Sequence, residues 1–192
     1  MVPFESHNRY NKKTIEPYAI SVISQSYDKT YANFYSPVDT DNFDYLSVDG
    51  TKALEISLVL TSNESEAYEY ENAIHKGRKK PNPNRIKNAN FLPDGRLISY
   101  SGGPLGELWW NIRDRIQKKH DIALKRLKTS DIGRIELCLC IVDGHIIELV
   151  DFPYYLENLE HFVFDRVFFI TSSRFICYDK QLGFKEYPKI YR

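Results

Sequence analysis

The stretch that most constrains this chain runs from residue 43 to 60, Phe-Asp-Tyr-Leu-Ser-Val-Asp-Gly-Thr-Lys-Ala-Leu-Glu-Ile-Ser-Leu-Val-Leu. Asp49-Gly50 is a two-residue hairpin signal, because a type I′ turn needs positive φ at both central positions. The flanks, Tyr45 to Val48 and Ala53 to Leu60, are rich in apolar and β-forming residues. With the turn at Asp49-Gly50, Val48 faces Thr51 and Asp44 faces Glu55. Facing residues share one side of the sheet, with Cβ atoms about 4.5–5.5 Å apart. Two carboxylates set so close repel each other, so a cation or a proton relieves them if the register is right. By the same logic, removing either charge stabilises the empty hairpin. Ser57 follows Glu55 on the same face, because side chains alternate along a strand. Two acids and a third polar group suit a hard divalent ion such as Mg²⁺, which takes carboxylate oxygens and keeps several waters. The plainer alternative is a hairpin carrying two solvated acids.

Asp44 followed by Glu55-Ile56-Ser57 in an apolar strand resembles the PD-(D/E)XK nuclease superfamily, the restriction-endonuclease-like fold, over roughly residues 12–142. Two positions depart from the family pattern: Ser57 stands where the family has Lys, and Phe43 where it has Pro. The resemblance implies an α+β fold, a central mixed sheet with flanking helices and an αβββαβ core. Extra C-terminal strands over 143–192 complete a single domain spanning 1–192. It also implies metal-dependent hydrolysis of phosphodiester bonds in DNA or RNA, with DNA favoured. Asp44 and Glu55 would then hold Mg²⁺ (or Mn²⁺), and Glu16 in the first helix is a third candidate ligand. The missing lysine would come from elsewhere, with Lys118 or Lys119 of the long helix as candidates. Lys52 falls on the opposite strand face from Glu55. Ser57 in place of Lys keeps two other classes open: a catalytically inactive nucleic-acid-binding module, and a protein-interaction or immunity-type protein.

Composition bounds the rest. A chain of 192 residues with 42% hydrophobic and 14% aromatic residues has the makings of one globular core. No run approaches the ~18 apolar residues of a membrane span, and the start, Met-Val-Pro-Phe-Glu-Ser-His, lacks a basic–apolar signal pattern. Three cysteines cannot all pair and show no CxxC spacing, which suits a reducing cytoplasm and argues against zinc. The 26 basic and 26 acidic residues balance, but residues 72–128 hold 14 Lys and Arg against 4 Asp and Glu. A basic middle beside an acidic face suits a nuclease; equally, the charges could fold back on each other. A homodimer stays open.

In chain order, residues 14–27 predict a first helix with Thr14 as N-cap and an apolar stripe of Ile15, Ala19, Val22 and Ile23. Glu16 there either joins the metal or complements the helix dipole. Residues 33–38 predict a short strand ended by Pro37, and Asp39 and Asp41 a turn. Residues 64–76 predict a helix begun by Thr61-Ser62-Asn63-Glu64. The Pro-broken segment 75–90 is a basic loop whose Arg78, Lys79, Lys80, Arg85 and Lys87 either clamp phosphates or are solvated. Pro93-Asp94-Gly95 predicts a second hairpin. Residues 105–128 predict the strongest helix, with Leu105, Leu108, Trp109, Ile112 and Ile116 in one stripe and His120 continuing that face. Residues 134–142 predict a central strand returning through Asp143-Gly144 along 145–150. A helical turn near 153–161 and strands at 166–171 and 174–178 follow, and the aromatic tail completes the sheet or an interface. No GxSxG, HExxH or Cys–His arrangement supports a conventional hydrolase.

Overall fold

A computed structural model describes residues 12–38, 42–79, 81–99, 104–141 and 147–190. The helices are α1 (Lys12–Ser26), α2 (Ser62–His75), α3 (Leu105–Leu127) and α4 (Asp151–Tyr155). The strands are β1 (Tyr45–Leu46), β2 (Lys52–Val59), β3 (Asn90–Phe91), β4 (Leu97–Ser99), β5 (Arg134–Ile141), β6 (Arg166–Ile170), β7 (Phe175–Asp179) and β8 (Gly183–Tyr187). Six of them form one mixed sheet in the order β1-β2-β5-β6-β7-β8. β2, β5 and β6 run parallel, while β1 and the β7–β8 end are antiparallel. The fold is therefore α+β with a mixed sheet and flanking helices.

Side-chain alternation divides the core into two layers. Ala53 and Val59 of β2, with Ile135, Leu137 and Leu139 of β5 and Val167 and Phe169 of β6, pack under Leu108, Trp109, Ile112, Ile116 and Ala123 of α3. Leu54 and Ile56, with Cys138, Cys140, Phe168 and Ile170, face Ile15, Ala19, Val22 and Ile23 of α1. Each large apolar side chain enclosed this way contributes about 1.5–3 kcal/mol of burial. Among the described residues, no helix is long and apolar enough to cross a membrane.

The central hairpin has the expected register: Tyr45 pairs with Leu54 and Leu46 with Ala53. Its turn differs. Ser47 N donates to Lys52 O at 3.0 Å, Gly50 N donates to Ser47 O at 2.9 Å, and only Gly50 of this loop takes a positive φ, +70°. Asp49 is instead an acceptor. Its carboxylate receives the Ser47 hydroxyl at 2.5 Å and the Thr51 hydroxyl and N–H at 2.9 and 3.1 Å. These bonds hold its carboxyl down at about 2. An Asx-type turn thus delivers the register that a type I′ turn was expected to deliver.

Other expectations are corrected. α1 starts at Lys12, so Thr14 lies inside it and is no cap. The strand expected over 33–38 reduces to one bridge, Tyr35 to Leu46, preceded by a 3₁₀ turn over Lys29–Asn33. Asp39, Asp41 and the Asp143-Gly144 turn lie outside the described residues. β5 does not return along 147–150, where there is no strand; its partners β2 and β6 are both parallel. Parallel pairing needs a long crossover and leaves no local turn signal to read.

Between β2 and α3 the chain makes a small side unit. The Thr61/Glu64 capping box starts α2. Ala67, Tyr70 and Ile86 then form a separate apolar cluster against the β3–β4 hairpin, with the Tyr70 hydroxyl donating to Gly95 O at 2.7 Å. This unit carries the basic loop. The strands β6, β7 and β8 continue the main sheet and share its core.

Candidate functional site

The hairpin register, carried on by one residue, sets Asp44 beside Glu55, and both serve one cluster under α3. β1 has not yet begun at Asp44, so its carboxylate takes the place of the ladder: Oδ2 accepts from Ile56 N at 2.8 Å. Glu55 occupies an odd position of β2, on the α3 face, and is fully buried. A buried carboxylate must be paired or protonated. Here Lys119 Nζ donates to Glu55 Oε2 and stands 3.4 Å from Asp44 Oδ2. The Arg126 guanidinium donates to Glu55 Oε1 and lies over the Phe43 ring, 5.4 Å from its centroid. A cation thus relieves the cross-strand repulsion. Among the described ion pairs of the cluster, two acids balance two bases.

Burial pushes the Glu55 carboxyl above the ordinary glutamate value; Lys119 works against that, Asp44 adds to it and Arg126 opposes it. Ser57 follows on the same face, nearly buried. The side chains of Lys119 and Arg126 remain 17% and 23% exposed, while that of Glu55 is fully enclosed.

The other sequence candidates fall elsewhere. Lys118 is turned 100° round the helix from Lys119 and pairs with Asp114 at 2.7 Å on the surface. Glu16 belongs to α1, which packs on Leu54 and Ile56 on the far face of the sheet. The sheet itself separates that helix from the Glu55 carboxylate. Arg85 pairs with Glu66 at 2.5 Å. Arg78, Lys79 and Lys87 are exposed on the side unit, and Lys80 lies outside the described residues. His120 is a packing histidine: its Nδ1 accepts from Val163 N at 3.0 Å, and its ring meets Phe162 edge-on.

Arg126 was not singled out from sequence, yet a signal existed. Ile112, Lys119 and Arg126 are spaced seven apart, so the two cations continue a helix face that starts in the core. A second missed group is Glu136 of β5, fully buried on the α1 face. It accepts the Tyr31 hydroxyl at 2.5 Å and Arg166 Nη1 at 3.0 Å, and Arg166 Nε also holds Asp179 at 2.8 Å. A single acid inside the apolar run of residues 135–141 was its signal, because such a residue requires a partner.

An open groove of about 700 Å³ runs between α3 and residues 156–162, lined by Trp110, Arg113, His120 and His161 among others. None of the Asp44–Glu55 cluster lines it, so this groove and the charged cluster are separate features of α3. Among the described residues no three His, Cys, Asp or Glu gather as a metal-holding group. Two carboxylates still fit a hard ion in kind, since Mg²⁺ is commonly held by one or two carboxylates and completes its shell with water. Compared with known protein families, curated proteins and solved structures, the chain gives no match.

Proposed function

We propose that this chain is a metal-dependent nuclease of restriction-endonuclease-like fold that hydrolyses phosphodiester bonds of DNA or RNA, with DNA as the first substrate to test. The observation that carries the reading is the Lys119 amine bracketed by Asp44 and Glu55. That is the acid–acid–lysine grouping the resembled family uses, with the lysine supplied from α3 instead of position 57. The element order supports it as well: α1, the Tyr35 bridge, the β1–β2 hairpin and, after an inserted α2 and β3–β4 unit, α3 and β5, with α1 and α3 on opposite faces of the sheet.

Asp44 and Glu55 would hold Mg²⁺ or Mn²⁺. An ion held there would supply an activated water and charge neutralisation at phosphorus. Asp44 is held in place by Ile56 N, and Glu55 by its burial and by Arg126. Lys119 would orient the attacking water or contact the phosphate, and Ser57 offers a hydroxyl on the same strand face. Arg78, Lys79 and Lys87 attract the strand by charge; Arg85 and Lys118 are already engaged with Glu66 and Asp114. The buried thiols of Cys138, Cys140 and Cys177 suit a reducing cytoplasm.

A second reading rests on one observation: cationic donors engage both oxygens of Glu55. This favours an inactive nucleic-acid-binding module, in which the cluster only holds α3 on the sheet. Incubation with plasmid, single-stranded DNA and RNA, in Mn²⁺ or in chelator, separates the two. Wild type and Lys118→Met should cut at least one substrate in Mn²⁺ alone. Asp44→Asn, Glu55→Gln and Lys119→Met should each lose about 100-fold or more. Binding without cleavage in every condition favours the module.

A further inference from the structure

We infer that Lys119 is an internal counterion that makes divalent-ion binding and nucleic-acid binding mutually dependent, each tightening the other at the Asp44–Glu55 site. The inference rests on the nuclease reading of that site and adds how it is loaded.

The charges give the reason. Asp44 and Glu55 alone would receive a divalent ion with full neutralisation. With Lys119 and Arg126 in place the two acids are already balanced, so an added ion brings two uncompensated positive charges beside two cations. Ion entry is therefore opposed while Lys119 stays between the carboxylates. The four groups differ in how firmly they are held. Glu55 is fully enclosed, and Asp44 is tied to the backbone of β2 through Ile56 N at 2.8 Å. Arg126 is backed by the Phe43 ring. Lys119 is a long, single-amine side chain that is partly exposed, at 17%, and among the described residues has no ring behind its ammonium. Of the two cations it is the one able to swing outward.

A phosphodiester strand arriving at the site supplies what the ammonium gives up, a negative oxygen acceptor. Lys119 then pairs with phosphate, Glu55 Oε2 and Asp44 are released to the ion, and the added phosphate charge offsets the added metal charge. Linkage requires the effect to be reciprocal and equal: if nucleic acid tightens the ion, the ion tightens nucleic acid by the same factor.

The test is calorimetric titration of the full chain with Ca²⁺, another hard oxygen-seeking ion, so that binding is read rather than turnover. It is run with protein alone, with a short DNA duplex and with an RNA hairpin. Wild type should bind Ca²⁺ at least about 10-fold more tightly with one of the nucleic acids than alone, within the usual range of coupling. Lys119→Met should bind Ca²⁺ more tightly than wild type in the absence of nucleic acid, and its coupling should shrink. The reciprocal measurement, wild-type affinity for the same nucleic acid with and without Ca²⁺, needs no variant and should return the same factor. Equal Ca²⁺ affinity of wild type with and without either nucleic acid overturns the inference and leaves the ion site standing. Absence of Ca²⁺ binding in wild type and Lys119→Met under every condition overturns the nuclease reading and the inference together.

Discussion

Glu55 and Glu136 are both fully buried, and they sit on adjacent rungs of the β2–β5 ladder but on opposite faces of the sheet. Each is held by an arginine, yet the two surroundings are built differently. Glu136 is secured from within the sheet, by Arg166 of the neighbouring strand, which in turn is fixed by Asp179 of the next strand, and by a phenol. Register fixes the strand partners, since Arg166 lies opposite both Glu136 and Asp179, while the phenol, Tyr31, comes from the 3₁₀ turn over Lys29–Asn33. Glu55 is secured from outside the sheet, by two long side chains reaching down from α3. A cluster whose cation is clamped between Glu136 and Asp179 on its two neighbouring strands cannot readily exchange partners. A cluster closed by helix side chains can, by a change of rotamer. The difference separates a charge held between strands from one held by a helix.

The largest effect should come from opening the register-locked cluster. Arg166→Met leaves Glu136 buried without its cation and should cost about 3–5 kcal/mol in urea unfolding. Lys119→Met should cost less, about 1–3 kcal/mol, because Arg126 still pairs with Glu55. Equal losses would erase the distinction between the two faces. Glu55→Gln should also destabilise by about 1–3 kcal/mol, since it leaves two cations without their shared carboxylate. Cross-strand repulsion read from sequence gives the opposite sign, and a more stable Glu55→Gln would show that Lys119 does not bridge the acids.

A pH profile sharpens the comparison further. Burial is the largest influence on both glutamates and raises each above the ordinary 4.5; at Glu136 the Tyr31 hydroxyl and Arg166 oppose it. The folded chain therefore keeps protons there that the unfolded chain has lost. Stability from these groups is full below 4.5 and falls as pH rises through their folded values, by at most about 1.4 kcal/mol per pH unit for each group. Asp49, held down at about 2, contributes with the opposite sign, but its contribution is complete above the ordinary aspartate value of 3.8. The urea midpoint should thus decline as pH rises from 4.5. Tyr31→Phe removes a bond that favours charged Glu136, so its decline should extend to higher pH than in wild type. Parallel profiles would remove Tyr31 from the account. The smallest effect is expected at Lys118: its surface pair with Asp114 is worth about 0.3–0.5 kcal/mol, and Lys118→Met should leave stability nearly unchanged.

The hairpin register was legible because alternation and the Asp-Gly signal agreed on it, and a one-residue slip would have turned Glu55 to the other face. The turn's form was not legible, because Asp49 could serve either as a positive-φ residue or as an acceptor. The stripes of α1 and α3 were legible from periodicity, except that Leu105, at the first position of α3, is exposed. Lys119 was within reach as one of two adjacent lysines, and only the helix's rotation against β2 chooses between it and Lys118. Arg126 and Glu136 were passed over because a cation near a helix C-terminus and an acid in an apolar strand each have a local explanation. The partners of β5 were hidden because β2 and β6 reach it through long crossovers, whereas a local Asp143-Gly144 signal pointed to a hairpin.

The central proposal is that, of the Glu55 and Glu136 clusters, the one under α3 is the divalent-ion site. Melting temperature with and without Mn²⁺ tests it directly on wild type, Tyr31→Phe and Glu55→Gln, because a ligand that binds the folded chain raises its stability by mass action. Wild type and Tyr31→Phe should gain melting temperature in Mn²⁺ by the same amount, since the α1-face cluster plays no part, and Glu55→Gln should gain little or nothing. A Glu55→Gln protein that gains as much as wild type would contradict the account.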